Sequence, residues 1–286
     1  MLRVCGRLST MFATKVYKIR SVSLCPCTRI LRPQPNPINR AFSCFFVQSL
    51  SAPMLLTASH LNDDLSNSNF VFNLLTNLRT DKAKGSDGIP PILLKVAAPF
   101  ICHPICHIFN ASFASSTVPV AWKLADVCPI PKCVPIDKDK LRPISLLPVL
   151  AKLSEKAILN RYRASLLSCY DKDQFSYRPF SSTVCALITI QDVILRLLDN
   201  SEIVGVRVIT LDMTRAFDSI PHHLLIACLM NLNLPDSDLF VNWINNYLCN
   251  RTQRVRLFDT TISVINVTSG VPQGSVLGPY LFAIYM

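Results

Sequence analysis

The first 62 residues of this 286-residue chain contain no aspartate or glutamate. Eight of the 29 lysines and arginines lie there, so most of the net charge of +11 belongs to this arm. The remainder carries 21 bases against 18 acids and is nearly balanced. Net charge is therefore a weak argument that a folded body binds nucleic acid. No apolar run reaches the length of a bilayer-spanning helix, which argues against an integral membrane protein. Twelve cysteines are too dilute for a disulfide scaffold. Their scatter over expected helices and strands suits small core residues in a reducing, intracellular compartment. Half the residues are hydrophobic, which excludes a wholly disordered chain, and the length fits one large domain or about two ordinary ones.

Residues 1–65 show no sustained hydrophobic period. The plainer reading is an unstructured basic leader. An arginine- and serine-rich, acid-poor start also has the look of a mitochondrial targeting segment. From residue 66 the texture is that of a folded domain running to 286. Val71, Leu74, Leu75 and Leu78 mark one face of a short helix. Residues 82–90, KAKGSDGIP, form a turn, and Pro90 and Pro91 suit the start of a helix over 91–114. Cys102, His103, Cys106 and His107 fall in it at i, i+4 spacing. Zinc sites usually draw on separate loops and Pro104 interrupts the stretch, so core and surface roles outweigh a metal site. Residues 122–132, WKLADVCPIPK, read as an edge strand because of their prolines. Residues 141–145 lead into a helix of about twenty residues. A polar loop over 174–183 precedes a helix over 184–199. Val206 to Leu211 has the look of a buried strand. Pro221 opens a helix, Asp236 caps another, 252–258 and 261–268 form a hairpin, and a glycine-punctuated loop over 270–278 opens a last helix.

Asp212 closes the apolar strand, and Asp218 follows six residues later. A carboxylate there is costly unless a cation or hydrogen bonds compensate it. Spacing alone leaves two readings open: a divalent-metal ligand, or a cap on the following turn.

Residues 211–220, LDMTRAFDSI, resemble the first catalytic motif of reverse transcriptases, and among these most of all the non-LTR (LINE-type) retrotransposons. Residues 269–279, SGVPQGSVLGP, resemble the second palm motif. Residues 141–147, LRPISLL, with Lys152 and Glu155 resemble the fingers motif. Residues 174–178, QFSYR, with Ser182 and Thr183 resemble the template-grip segment, and 82–90 and 122–125 resemble the upstream segments. Six blocks stand in the family's order. The resemblance implies an α+β fold: the fingers (66–200) and part of the palm (201–286) of a right-hand polymerase, with helices on one face of a mainly antiparallel sheet. It implies RNA-directed DNA synthesis with two Mg²⁺ ions, an RNA template, a DNA primer and dNTPs.

By that resemblance Asp212 supplies a metal-bridging carboxylate, with the Met213 carbonyl as a further ligand. Phe217 stands under the incoming sugar and excludes a 2′-hydroxyl, although its residue type alone reads as a core aromatic. Asp218 supports the turn by hydrogen bonds. Arg142 holds the triphosphate, as a planar guanidinium suits paired phosphate oxygens, and Lys132 is a second candidate. Gln273 and Gly274 lie under the templating pair, where glycine permits close backbone approach. Arg178, Arg251, Arg254 and Arg256 meet backbone phosphates or are solvated surface arginines. Ser176 replaces a usual glycine, which would strain the loop if a positive φ were needed there.

The family's third palm motif, with its adjacent aspartate pair, has no match. Asp236, Asp238 and Asp259 stand in expected helix or hairpin positions, and the one adjacent acidic pair, Asp63–Asp64, lies in a polar stretch upstream. The expectation is a retroelement fragment without appreciable polymerase activity of its own. The alternatives are a non-catalytic nucleic-acid-binding module and an organellar maturase-like splicing factor.

Overall fold

Proline stands immediately before three of the α-helices in the computed structural model, which describes residues 13–18, 65–131, 141–213, 215–257 and 260–286. In chain order the elements are β1 (Ala13–Lys18), α1 (Ser68–Thr76), α2 (Pro91–Ala114), β2 (Leu124–Pro131), β3 (Leu141–Leu146), α3 (Val149–Ser168), α4 (Thr183–Leu198), β4 (Val206–Leu211), α5 (His222–Met230), α6 (Ser237–Leu248), β5 (Arg251–Leu257), β6 (Thr260–Thr261), β7 (Ile265–Val267) and α7 (Gly278–Tyr285). They fall into two compact units. One centres on residues 171–214 and takes in β1, and the other comprises 57–170 and 215–285.

The second unit holds the main core. Its sheet runs in the order β3-β2-β5-β6, with β7 also paired to β5. β2–β3, β5–β6 and β5–β7 are antiparallel, whereas β2–β5 is parallel. The sheet is mainly antiparallel, as expected, with one parallel pairing where the chain returns from β2 to β5 by a long crossover, which delivers a strand in the same direction. The hairpin over 252–268 is present with its return strand broken between β6 and β7. The strand over 122–132 is not an edge: β2 lies between β3 and β5. Its prolines are tolerated because β5 pairs only with Leu124–Val127, leaving Pro129 and Pro131 with β3 alone.

The helices α2, α3 and α6 meet through aromatic rings. Tyr162 lies 5.9 Å from Phe113 and 4.5 Å from Phe240, and buried Trp243 donates Nε1–H to Ser112 Oγ at 3.2 Å. Asp236 precedes α6 but does not cap it with its side chain. Its φ of +46° turns the carboxylate away, and it binds Arg161 at 2.7 Å instead. α2 corrects another expectation: it is one helix long and apolar enough to cross a membrane by length and composition. Leu94, Ala98, Cys102, Ile105, Phe109 and Phe113 form its buried face. His103 and His107 are exposed, and Cys106 Sγ donates to the Ser66 carbonyl at 3.3 Å.

In the first unit β4 pairs antiparallel with β1, from Val206–Lys18 to Leu211–Ala13. Its side chains are exposed apart from half-buried Val206, so the expectation of a buried strand fails. Among the described residues β4 has one strand neighbour, and a two-stranded ribbon cannot cover both faces. No residue of α4 is buried either. The expected leader lies outside the described residues, apart from β1 and Leu65.

Candidate functional site

Residues 269–278 form a loop stitched to three other parts of the second unit. The first seam joins it to residues 217–222. Gly270 N donates to the Ile220 carbonyl at 2.7 Å, Val271 N to the Phe217 carbonyl at 2.8 Å, and Ser269 Oγ to the Asp218 carbonyl at 3.0 Å. His222 Nε2 lies 2.7 Å from the Gly270 carbonyl, which can only accept, so Nε2 carries the proton. Burial holds this histidine below its ordinary pKa and favours the neutral ring, with the Gly270 contact acting the other way. Gly270 has φ +84°, and a Cβ there would stand 2.6 Å from the Asp218 Cα. Two of the expected site residues therefore meet this loop through their backbone. The Phe217 ring, half-buried, stacks on Phe282 of α7 at 4.8 Å. Asp218 braces its turn through its own N–H, which donates to the Arg215 carbonyl at 2.9 Å. Partial desolvation raises the Asp218 carboxyl pKa, while Arg215 pulls it down.

The second seam joins the loop to β3. Ser145 N donates to the Gln273 carbonyl at 2.8 Å, so Gln273 continues the sheet along the outer edge of β3. Gly274 has φ +114°. A Cβ at that position would lie 2.9 Å from the Ser145 carbonyl and 3.6 Å from Ile144 Cγ2. Side chains two apart on a strand share a face, so exposed Arg142 projects on the same side as Ile144. Arg142, Gln273 and Gly274 thereby come together at one sheet edge. A cleft of about 220 Å³ lies beside Gln273, lined among others by Asp218, Ser145, Arg251 and Ser269.

The third seam is Glu155 of α3, which is fully buried. Its Oε2 accepts from Val276 N at 2.7 Å and Leu277 N at 3.0 Å, and its Oε1 from the Tyr247 hydroxyl at 3.2 Å. Burial pushes its carboxyl pKa up, and the three donors and nearby Arg251 oppose that shift. Arg251 is itself 2% exposed and lies over the Tyr247 ring at 4.7 Å. That removes it from the surface phosphate contacts considered from sequence.

Three more of the expected residues, Arg178, Asp212 and Met213, belong to the first unit. Asp212 and Met213 follow β4 directly and are exposed. A carboxylate and a main-chain carbonyl are hard oxygen donors of the kind a divalent cation takes. Arg178 turns its guanidinium onto its own loop, toward the carbonyls of Lys172 and Asp171 at 3.3 and 3.5 Å. Ser176 does not take a positive φ, so serine brings no such strain there; the positive φ of this loop is at Tyr177, +58°, and Ser176 N donates to Gln174 Oε1. Lys132 lies outside the described residues. No group of three or more His, Cys, Asp or Glu ligands occurs among those described.

A family model described as reverse transcriptase (RNA-dependent DNA polymerase) matches residues 130–286. The RNA-directed DNA polymerase from mobile element jockey of Drosophila melanogaster is 34% identical over 224 residues, 75% of this chain and 23% of that protein. The probable RNA-directed DNA polymerase from transposon X-element of Drosophila melanogaster is 30% identical over 220 residues, 75% of this chain and 24% of its own length. The jockey polymerase of Drosophila funebris is 32% identical over 219 residues, 75% of this chain and 23% of that protein. The chain spans about a quarter of the length of these relatives. It belongs to the reverse transcriptase family, as a domain of the LINE (non-LTR) retrotransposon type.

Proposed function

We propose that this chain is the nucleotide- and template-holding part of an RNA-directed DNA polymerase, made of fingers and part of a palm. The observation that carries the reading is the docking of Gln273 and Gly274 onto the edge of β3, beside Ile144 and on the face of Arg142. Arg142 offers a planar fork to the triphosphate of an incoming dNTP. Gly274, lacking a Cβ, lets the backbone approach the templating base pair closely. Phe217, propped on Phe282, presents a rigid ring edge to the sugar. Arg178 meets the RNA template. Asp212 and the Met213 carbonyl would hold Mg²⁺, which when bound would supply charge stabilisation to phosphoryl transfer. Asp218 keeps the connecting turn in place through its backbone.

The test is photo-crosslinking of labelled dNTPs to the chain on an RNA template annealed to a DNA primer. The dNTP complementary to the next template base crosslinks in preference to the other three. Arg142→Ala weakens that capture roughly 10- to 100-fold, the loss of a charge-assisted contact worth about 1.5–3 kcal/mol, and leaves hybrid binding intact. Equal capture of all four dNTPs contradicts the polymerase reading. Hybrid binding without nucleotide selection then marks a non-catalytic nucleic-acid-binding module.

A further inference from the structure

Asp126 sits in the middle of β2 and is 2% exposed, yet it faces two arginines of β5. Arg254 Nε contacts Oδ1 at 2.7 Å, and Arg256 Nη1 contacts Oδ2 at 3.3 Å. Both guanidiniums remain partly open, with side-chain exposures of 28% and 23%. One arginine suffices to neutralise a buried carboxylate, so the second leaves a net positive charge. Among the described residues each guanidinium makes one hydrogen bond, to Asp126, and it carries five N–H donors, so most of its fork is open to a further acceptor. Asp126 fixes both forks in direction, which removes the rotamer freedom that a free surface arginine would lose on binding.

Strand register shows which residues share the face. Asp126 stands opposite Arg254, Cys128 opposite Ile144, and Ile130 opposite Arg142. Directly paired residues project to the same side, so Arg142, Ile144, Arg254 and Arg256 line one face of the sheet. With strands about 4.8 Å apart and about 3.3 Å per residue, the Arg142 and Arg256 backbones lie on the order of 12 Å apart. That is about three to four nucleotide steps of a stacked strand. A single small anion cannot bridge that separation, whereas a polynucleotide offers phosphates at regular intervals along it.

We propose that Arg254 and Arg256, oriented by Asp126, form a phosphate clamp for the RNA strand of a template–primer hybrid lying across this face. The proposal rests on the polymerase reading and adds a second contact point to it, distant from the nucleotide.

The experiment measures hybrid affinity as a function of salt for the full chain, using a DNA primer on an RNA template with a single-stranded RNA overhang. Arg256→Gln leaves the shorter Arg254–Asp126 pair intact, so the buried acid stays partnered. It lowers the slope of log K against log salt by about 0.7–0.9, the contribution of one phosphate contact. The charge-removing triple change Asp126→Asn, Arg254→Gln, Arg256→Gln takes away the same single net positive charge together with both forks, and lowers it by at least about 0.7–0.9. Arg196→Gln, at an exposed arginine paired to Asp192 on α4, leaves the slope unaltered. Thermal melts establish that each variant is folded. Binding with an unaltered slope in folded Arg256→Gln and triple-variant chains overturns the clamp alone. Failure of the parent chain to bind the hybrid at low salt overturns both the clamp and the template reading.

Discussion

Glu155→Ala destabilises the second unit by about 3–5 kcal/mol, read as a lowered urea midpoint with unchanged m-value. The substitution leaves the N–H groups of Val276 and Leu277 and the hydroxyl of Tyr247 without their acceptor. Each stranded buried donor costs about 1–3 kcal/mol, partly offset because a buried charge is removed as well. Glu155→Gln has a milder effect, since its carbonyl oxygen accepts from both N–H groups and its amide turns to the Tyr247 oxygen. The two chains also differ in pH dependence. Burial raises the folded-state pKa of Glu155 above the ordinary 4.5, so the folded state holds the proton more tightly than the unfolded state. That contribution is fully present below the unfolded value and is lost as pH rises through the folded one. The stability of Glu155→Gln relative to the parent therefore increases with pH over that window. Parallel curves for the two chains from pH 4 to 7 contradict this.

Gly270→Ala is expected to cost about 2–4 kcal/mol, a melting-temperature loss of roughly 5–12 °C. Two effects combine. A non-glycine residue is disfavoured at φ +84°, and the added methyl would lie 2.6 Å from the Asp218 Cα and 2.7 Å from the Phe217 carbonyl. Both neighbours are backbone, so relief means moving the loop off residues 217–220. That movement loosens the Val271 N–H bond to Phe217 and the His222 bond to the Gly270 carbonyl. Amide exchange at Val271 therefore accelerates in the variant. A variant that melts with the parent and protects Val271 equally well shows that the seam does not hold the loop.

Local pattern carried much of the fold. The twenty-residue α3, the hairpin returning from β5 and the loop before α7 all follow from hydrophobic period and turn residues. Burial that depends on distant partners was less legible. Val206–Leu211 has the composition of a core strand, but a strand is covered only where other elements lie across it. The prolines of β2 suggest an edge, but proline disqualifies a central strand only where both neighbours need its N–H groups, and the pairing of β2 with β5 ends at Val127, before Pro129. The roles of Glu155 and Asp126 were also missed, although signals existed. Glu155 falls on the stripe formed by Ala151, Ser154, Ile158 and Tyr162, all buried. An acid on a helix's buried stripe needs donors from elsewhere. Asp126 interrupts an apolar strand, and Arg254 and Arg256 alternate at strand period. Their pairing required the parallel register of β2 with β5, which no local pattern specifies.

The proposal on which the most depends is that Asp212 holds a divalent ion needed for nucleotide capture. Its most direct test is the Mg²⁺ titration of complementary-dNTP crosslinking on the RNA–DNA hybrid, for the parent chain and for Asp212→Asn. Capture by the parent is expected to rise with Mg²⁺ and saturate, whereas Asp212→Asn needs at least roughly tenfold more Mg²⁺ for the same capture, while binding the hybrid equally well. Identical titration curves for the two chains would contradict it.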